Sequence, residues 1–547
     1  MRRLLALLLT CFIAVPAVPQ SSRFGETIEV SLVNVDVIVT DRAGNHVRGL
    51  TAADFELYEN GKLQPITNFA EYRGTAAART VVASAPAAAA PAKEEEAAPP
   101  QKRNILVFVD KLQVHGRERK QLFDGIKQFL RRTVRRGDAA GIASWASGPR
   151  SAQEFTDDVA KLESALNTLA SERRQKVQGS EWDYIELEKT QLEWYYAQGA
   201  SRGMSGGNAG TTVSQYDATA RVVLDVRQKA RAISSLMQAM AGAEGQKIMV
   251  LLSHRFAASS GAEYTGMADP NAITAEAQID EMLRVAKTNG IRVYPLYATL
   301  GDLDVGETAS LRGPQTLQAA TTKSSLRHIE TSSLMNIANE TGGVAGTGLG
   351  DIEKVFSSVT EDLESYYSLA YRATTPADGR EKQLTVKVKN GAYRVRTRRD
   401  VVDRTSETLL RQRLVSSLLQ PPRIEGFPVN VFLKKARHES GLLHLPLQIK
   451  LPMSALTLLP EGTKHSGGFS VYVAWAGELG TSSDITKRSQ PVSIDSSQLA
   501  AAKTQVITYD IEVAATRAVD RLVVAVVDDL SQEAGLVRFD IPRPKGK

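Results

Sequence analysis

The chain has 547 residues, 42% apolar and 23% charged, with a formal net charge of +6. That length exceeds one hydrophobic core and predicts roughly two to four domains of ordinary globular composition. The excess positive charge is small and scattered, and neither a basic patch nor an RNA-binding aromatic motif is present, so nucleic acid is not an expected partner.

At the N-terminus, Arg2 and Arg3 precede an uncharged apolar run over residues 4–18, with small residues near Ala17. This is the pattern of a secretory signal, assigned to residues 1–20. The expected location is therefore outside the cytoplasm: periplasm, cell envelope or the extracellular medium. No later segment reaches the length of apolar chain that a membrane-spanning helix needs, so no transmembrane span is expected in the mature chain. Cys11 is the only cysteine and lies inside the signal. Lipidation there is an alternative to simple cleavage. Once the signal is removed, disulfides, thiolate-bound zinc and a cysteine nucleophile are all excluded.

Residues 24–73 read as a small β-module. Ile28, Val30, Leu32, Val35, Val37 and Val39 give near-alternation, and Asn60-Gly61 between two strand-like runs is a hairpin signal. Residues 74–103 are rich in Ala and Pro with few large side chains, which predicts a disordered linker. From 104 to 364 the period alternates between strand and helix. Strands are expected at 105–110, 139–146, 247–253 and 291–297, with a last weak one at 343–346. Gly137, Gly245 and Gly290 stand where helices should stop before strands. That alternation implies a doubly wound, Rossmann-like parallel sheet covered by helices on both faces.

An insertion over 171–212 breaks the rhythm. It carries Trp182, Trp194 and Tyr195, anchors of the kind enriched at protein interfaces, although packing onto their own domain is the plainer reading. Strands return at 365–400, a helical connector follows at 401–425, and 426–547 reads as an immunoglobulin-like β-sandwich from its short, turn-bounded strands. The expected whole is a multidomain α+β chain, an α/β domain flanked by β-domains.

Three groups of segments carry a resemblance. Residues 35–44 (VDVIVTDRAG) and 49–61 (GLTAADFELYENG) form the first, 137–142 (GDAAGI) with 247–253 (KIMVLLS) the second, and 363–372 (LESYYSLAYR), 382–389 and 393–396 the third. In this order they resemble a bacterial family of exported von Willebrand factor A (vWA)-related proteins, over roughly residues 26–400. The resemblance implies a vWA domain over 104–364, inserted into a β-unit made of 24–73 and completed by 365–400.

In vWA domains a D-x-S-x-S loop holds a divalent cation. The resemblance places its Asp at Asp110, but the loop here is Asp110-Lys111-Leu112-Gln113-Val114, with aliphatic residues at both hydroxyl positions. Where Ser-Asp-Gly is usual the chain has Ser253-His254-Arg255. Hard cations need several oxygen ligands, so no cofactor is expected, and magnesium belongs only to the alternative of an unconventional site at Asp110. The expected replacement is an Asp110–His254 hydrogen bond, with Lys111 or Arg255 also available to neutralise the carboxylate.

No G-x-S-x-G, H-E-x-x-H or phosphate-binding Gly loop is present, so catalysis is not expected. The reading is an exported, non-enzymatic interaction or adhesion module with a degenerate metal-ion-dependent site. Its candidate binding surface is Asp110, Lys111, Gln113, His254, Arg255, Trp182, Trp194 and Tyr195, facing another protein or a cell-envelope or extracellular component. The alternatives are a metal-dependent vWA adhesin, and an envelope hydrolase or its accessory subunit built on Asp110, His254 and Ser253.

Overall fold

A computed structural model describes residues 32–74, 76–80, 102–110, 116–145, 149–171, 209–253, 256, 275–297, 328, 330–373, 379–419, 427–439, 442–476, 485–515 and 519–541. The expected signal segment lies outside them. The chain opens with strands β1 (Leu32–Thr40), β2 (Phe55–Glu59), β3 (Lys62–Gln64) and β4 (Asn68–Arg73). Asn60 and Gly61 both adopt positive φ, 48° and 77°, as a two-residue hairpin turn requires, and they close β2 onto β3 with Glu59 opposite Lys62.

Strand β5 (Ala76–Thr80) corrects the linker expectation. It pairs antiparallel with β4, Arg73 opposite Ala76 and Phe69 opposite Thr80, inside the stretch expected to be disordered. Three of its five residues are alanines, yet ladder hydrogen bonds come from the backbone, and the open edge of β4 supplies them.

Next comes the α/β layer: β6 (Arg103–Asp110), α1 (Gly116–Thr133), β7 (Ala139–Trp145), β8 (Pro149–Thr156), α2 (Val159–Ser171), α3 (Ala209–Ala241), β9 (Gln246–Ser253), α4 (Glu276–Thr288), β10 (Ile291–Tyr297), α5 (residues 330–341) and α6 (Ile352–Glu364). The sheet order is β10-β9-β6-β7-β8. The first four strands are parallel and β8 is an antiparallel edge. Every residue of β6 and β10 is buried, as expected of strands covered on both faces. One face packs Ile105, Val107 and Val109 against Phe129, Leu166 and Phe356 of α1, α2 and α6. The other packs Leu106 and Phe108 against Val226, Ile233 and Met282 of α3 and α4.

Two details of this layer differ from expectation. Residues 343–346 contribute only a single parallel bridge, Gly346 to Leu296, and Gly343 lies so close to β10 that a Cβ there would sit 1.9 Å from the Val293 carbonyl oxygen. Strand β8 has no apolar run to announce it, and instead completes an edge by pairing with β7.

The chain then returns to its beginning through β11 (Ser365–Arg372), β12 (Glu381–Val388), β13 (Arg394–Arg396) and β14 (Asp400–Val402). Strand β11 lies between β1 and β4 in the order β13-β1-β11-β4-β5, while β14-β12-β2-β3 forms the facing sheet. Val35, Val37, Phe55, Leu57, Leu369, Tyr371 and Leu384 share one core between them. Short sheets are marginal alone, and here strands from both ends of the α/β layer complete each other.

Helix α7 (Ser406–Leu419) leads into β15 (Asn430–Leu433), β16 (Arg437–Glu439), β17 (Leu442–Pro452), β18 (Leu459–Glu461), β19 (Lys464–Ala476), β20 (Thr486–Asp495), β21 (Val506–Ala515), β22 (Arg521–Asp528) and β23 (Ala534–Asp540). These form two antiparallel sheets around Leu447, Ile449, Phe469, Val471 and Val524. Leu410, Leu414 and Leu418 of α7 cover Tyr472, Ala474 and Val523 on the outer face of the second sheet.

Candidate functional site

Four parallel strands end at one edge, and each presents a polar or aromatic side chain there: Trp145 on β7, Asp110 on β6, Ser253 on β9 and Tyr297 on β10. Alternation along β6 sends Leu106 and Phe108 into the layer beneath α3, and Asp110 continues that face. Open α/β sheets place their ligand sites at this edge.

Helix α3 supplies the partner. Its buried stripe runs through Val223, Val226, Ala230, Ile233, Met237 and Met240, and Asp225 and Lys229 stand one turn apart beside it. Lys229 Nζ donates to Asp110 Oδ2 at 2.5 Å, and Ser253 Oγ donates to the same oxygen at 2.9 Å. Lys229 Nζ also lies 3.4 Å from Asp225 Oδ2, while Trp145 Nε1 donates to Asp225 Oδ1 at 3.1 Å. The side chains of Asp110 and Lys229 are only 6% and 3% exposed, so this is an internal pair. Burial pushes the Asp110 carboxyl above its ordinary range, against the pull of Lys229 and helped by the neighbouring Asp225 charge. Farther along the edge, Tyr297 donates its hydroxyl hydrogen to Glu330 Oε2 at 2.7 Å.

Chemically, the amine of Lys229, tethered to α3, lies directly against the Asp110 carboxyl. Among the described residues no group of three or more His, Cys, Asp or Glu side chains is placed to hold a metal ion. Oxygens of Asp110 and Asp225 flank the lysine, and Ser253 holds the Asp110 oxygen that meets it.

Of the residues singled out in the sequence, Asp110 ends β6 at the sheet edge, but its side chain is buried against Lys229 rather than open on a binding surface. Lys111, Gln113, His254, Arg255, Trp182, Trp194 and Tyr195 lie outside the described residues. The ammonium that the structure sets against Asp110 is that of Lys229, which sequence reasoning passed over. Its signal was present: an Asp and a Lys four apart, bracketed by the apolar stripe of a long helix.

A second buried polar cluster joins the α/β layer to the β-unit. Asp362 on α6 is fully buried and accepts from Tyr294 Oη at 2.6 Å and from both Nη atoms of Arg396 at 2.7 Å, and it contacts His46 Nε2 at 2.8 Å. Burial opposes its charge, but the His46 hydrogen bond and the Arg396 guanidinium win and hold its carboxyl at about 2.

No family model matches the chain, and no curated protein matches it. Solved structures that align with it include proximal thread matrix protein 1 from the mussel byssus, at 12% identity and a TM-score of 0.23, covering 48% of this chain and 48% of that one. The vWF domain of the type V pili tip protein Mfa5 from Porphyromonas gingivalis aligns at 10% identity and a TM-score of 0.26, covering 48% of this chain and 94% of that one. BatB from Bacteroides thetaiotaomicron aligns at 9% identity and a TM-score of 0.21, with 48% and 98% covered. This chain thus spans about half the length of the mussel protein. Alignments at these scores transfer no function.

Proposed function

We propose that this is an exported, non-enzymatic interaction module built on a vWA-like domain whose ion site has been replaced by an internal lysine. The observation that carries the reading is Lys229 Nζ at 2.5 Å from Asp110 Oδ2, with Ser253 on the same oxygen. The Lys229 side chain, built into the fold, takes up the sheet-edge carboxyl, so partner binding at this edge does not depend on metal supply. The partner is another protein or a cell-envelope component, engaged by the sheet edge and the aromatic-rich 171–212 insertion. The two β-units, the C-terminal one immunoglobulin-like, act as spacers. Two facts are consistent with export as a soluble or peripheral protein: the signal-like residues 1–20, and the lack, among the described residues, of any helix long and apolar enough to cross a membrane.

Isothermal titration with Mg²⁺, Mn²⁺ and Ca²⁺ tests this. The expected result is no micromolar binding. Micromolar binding that disappears in Asp110→Ala overturns the reading in favour of a metal-dependent adhesin.

A further inference from the structure

The Lys229–Asp110 pair has more chemistry available than an ion pair needs. The amine nitrogen rests 2.5 Å from a carboxyl oxygen, and a second carboxylate, Asp225, lies 3.4 Å from the same nitrogen. The side chains of Lys229, Asp110 and Asp225 are 3%, 6% and 14% exposed, so bulk water is largely excluded from all three. Trp145 holds Oδ1 of Asp225, which leaves Oδ2 as the oxygen turned to Lys229. Ser253 holds Oδ2 of Asp110.

We propose that Lys229 and Asp110 condense after folding to an intramolecular isopeptide bond, with Asp225 as the proton shuttle. The inference rests on the Lys229–Asp110 pairing of the functional reading above. Burial disfavours charge on both partners, and proton transfer within the pair gives a neutral amine beside a neutral carboxyl. The proton that leaves Lys229 sits on Asp110 Oδ2, the oxygen nearest Nζ and held by Ser253. The amine lone pair then attacks Asp110 Cγ, forming the C–N bond, negative charge develops on Oδ1, and the Oδ2 hydroxyl is the group that departs. Asp225 takes a proton from the nitrogen and delivers it to the departing hydroxyl of Asp110. The C–O bond breaks, one water leaves, the carbonyl reforms, and Asp225 returns to its carboxylate. No oxidant, cofactor or activated donor is consumed. Enforced contact in a dry site supplies what the condensation lacks in dilute solution.

The product ties β6 to α3 across 119 positions of chain and removes a buried charge pair. It also makes the loss of the metal site permanent, because Asp110 becomes an amide.

Tryptic mapping of the full-length purified protein by mass spectrometry tests the bond. Cleavage after Arg103, Lys111, Arg227 and Arg231 should yield residues 104–111 joined to 228–231, lighter than the two peptides together by one water, with no cleavage at Lys229. Free 104–111 together with cleavage after Lys229 overturns the proposal. Lys229→Arg, which keeps the charge, should restore the unlinked mass. Asp225→Asn should leave the peptides largely unlinked, and a fully linked Asp225→Asn protein overturns the shuttle. Free peptides in a protein that takes up no magnesium remove the bond and leave the ion-pair reading standing. Magnesium uptake at Asp110 removes both.

Discussion

Arg396 on β13 clasps Asp362 on α6 with both guanidinium Nη atoms, each 2.7 Å from a different carboxylate oxygen. Tyr294 of β10 and His46, which follows β1, complete the shell, so one buried carboxylate collects groups from the α/β layer and from the β-unit. Planar two-point pairing of this kind fixes orientation as well as distance.

This clasp predicts an acid-sensitive seam. The Asp362 carboxyl is held at about 2, below its unperturbed 3.8. A depressed carboxyl stabilises the fold above its unfolded value, and that stability is lost as pH falls toward the folded one. The window is therefore pH about 4 down to about 2, and the contribution is about 2 kcal/mol. Arg396→Gln should lower stability at pH 7 by roughly 3 kcal/mol and flatten the slope in that window, because Asp362 then titrates closer to its unfolded value. Urea midpoints for both proteins from pH 2 to 5 check it, and equal slopes refute it.

Lys229→Met isolates Asp110. Without the Lys229 side chain, Asp110 is a free buried carboxyl that keeps the Ser253 hydrogen bond and the repulsion of Asp225, which raises it further. A raised carboxyl favours the fold below its unfolded value and loses that support as pH rises through the folded one. The gap between Lys229→Met and the parent should therefore widen from pH 4 to pH 7 and reach roughly 3–5 kcal/mol. Adding Asp110→Leu should recover part of the loss, since an apolar pair has no charge left to strand. Thermal melts across that pH range measure both effects.

What the sequence revealed and concealed follows from how local each signal is. Strands β6, β9 and β10 were readable because a strand buried on both faces must be apolar throughout, and Ile105 to Val109 is. The Asn60-Gly61 turn was readable because its positive φ values demand those residues. Strand β5 was hidden: Ala76 to Ala78 have no side-chain signature, and their pairing depends on an edge made elsewhere. Asp110 was placed by its position at a strand end. Lys229 was not: its spacing from Asp225 beside an apolar stripe marks a helix position, but which sheet residue it meets depends on how α3 packs through Val226 and Ile233.

The pairing of β1 with β11 and β13, and of β2 with β12, predicts the fate of a nicked chain. Ladder bonds and the shared core of Val35, Leu57 and Leu369 hold residues 32–80 to 365–402 without help from the peptide that connects them to the α/β layer. A specific protease site introduced near residue 90 and then cut should leave the N-terminal piece co-eluting with the rest on gel filtration, with separation only in denaturant. A folded N-terminal fragment that elutes alone refutes it.

Gly242 predicts how tightly the C-terminal unit is seated. A Cβ at this position would lie 2.2 Å from the backbone carbonyl carbon and oxygen of Gln412, so α7 lies directly on the end of α3, and Gly242 N donates to Ser416 Oγ at 2.9 Å. The same helix accepts Arg521 Nη1 at the Leu418 carbonyl, 3.1 Å away, while Arg521 also pairs with Glu154 of β8. An added methyl here meets backbone, which has no rotamer to yield, so Gly242→Ala must displace α7 and with it the arginine that spans the two units. The expected loss is roughly 3 kcal/mol, the upper end of ordinary overpacking. Gly350→Ala, where a Cβ meets nothing within 4 Å, is the matched control and should change stability by less than about 0.5 kcal/mol. Urea denaturation of the two variants decides the matter: if Gly242→Ala melts like Gly350→Ala, α7 is not clamped between α3 and the second sheet.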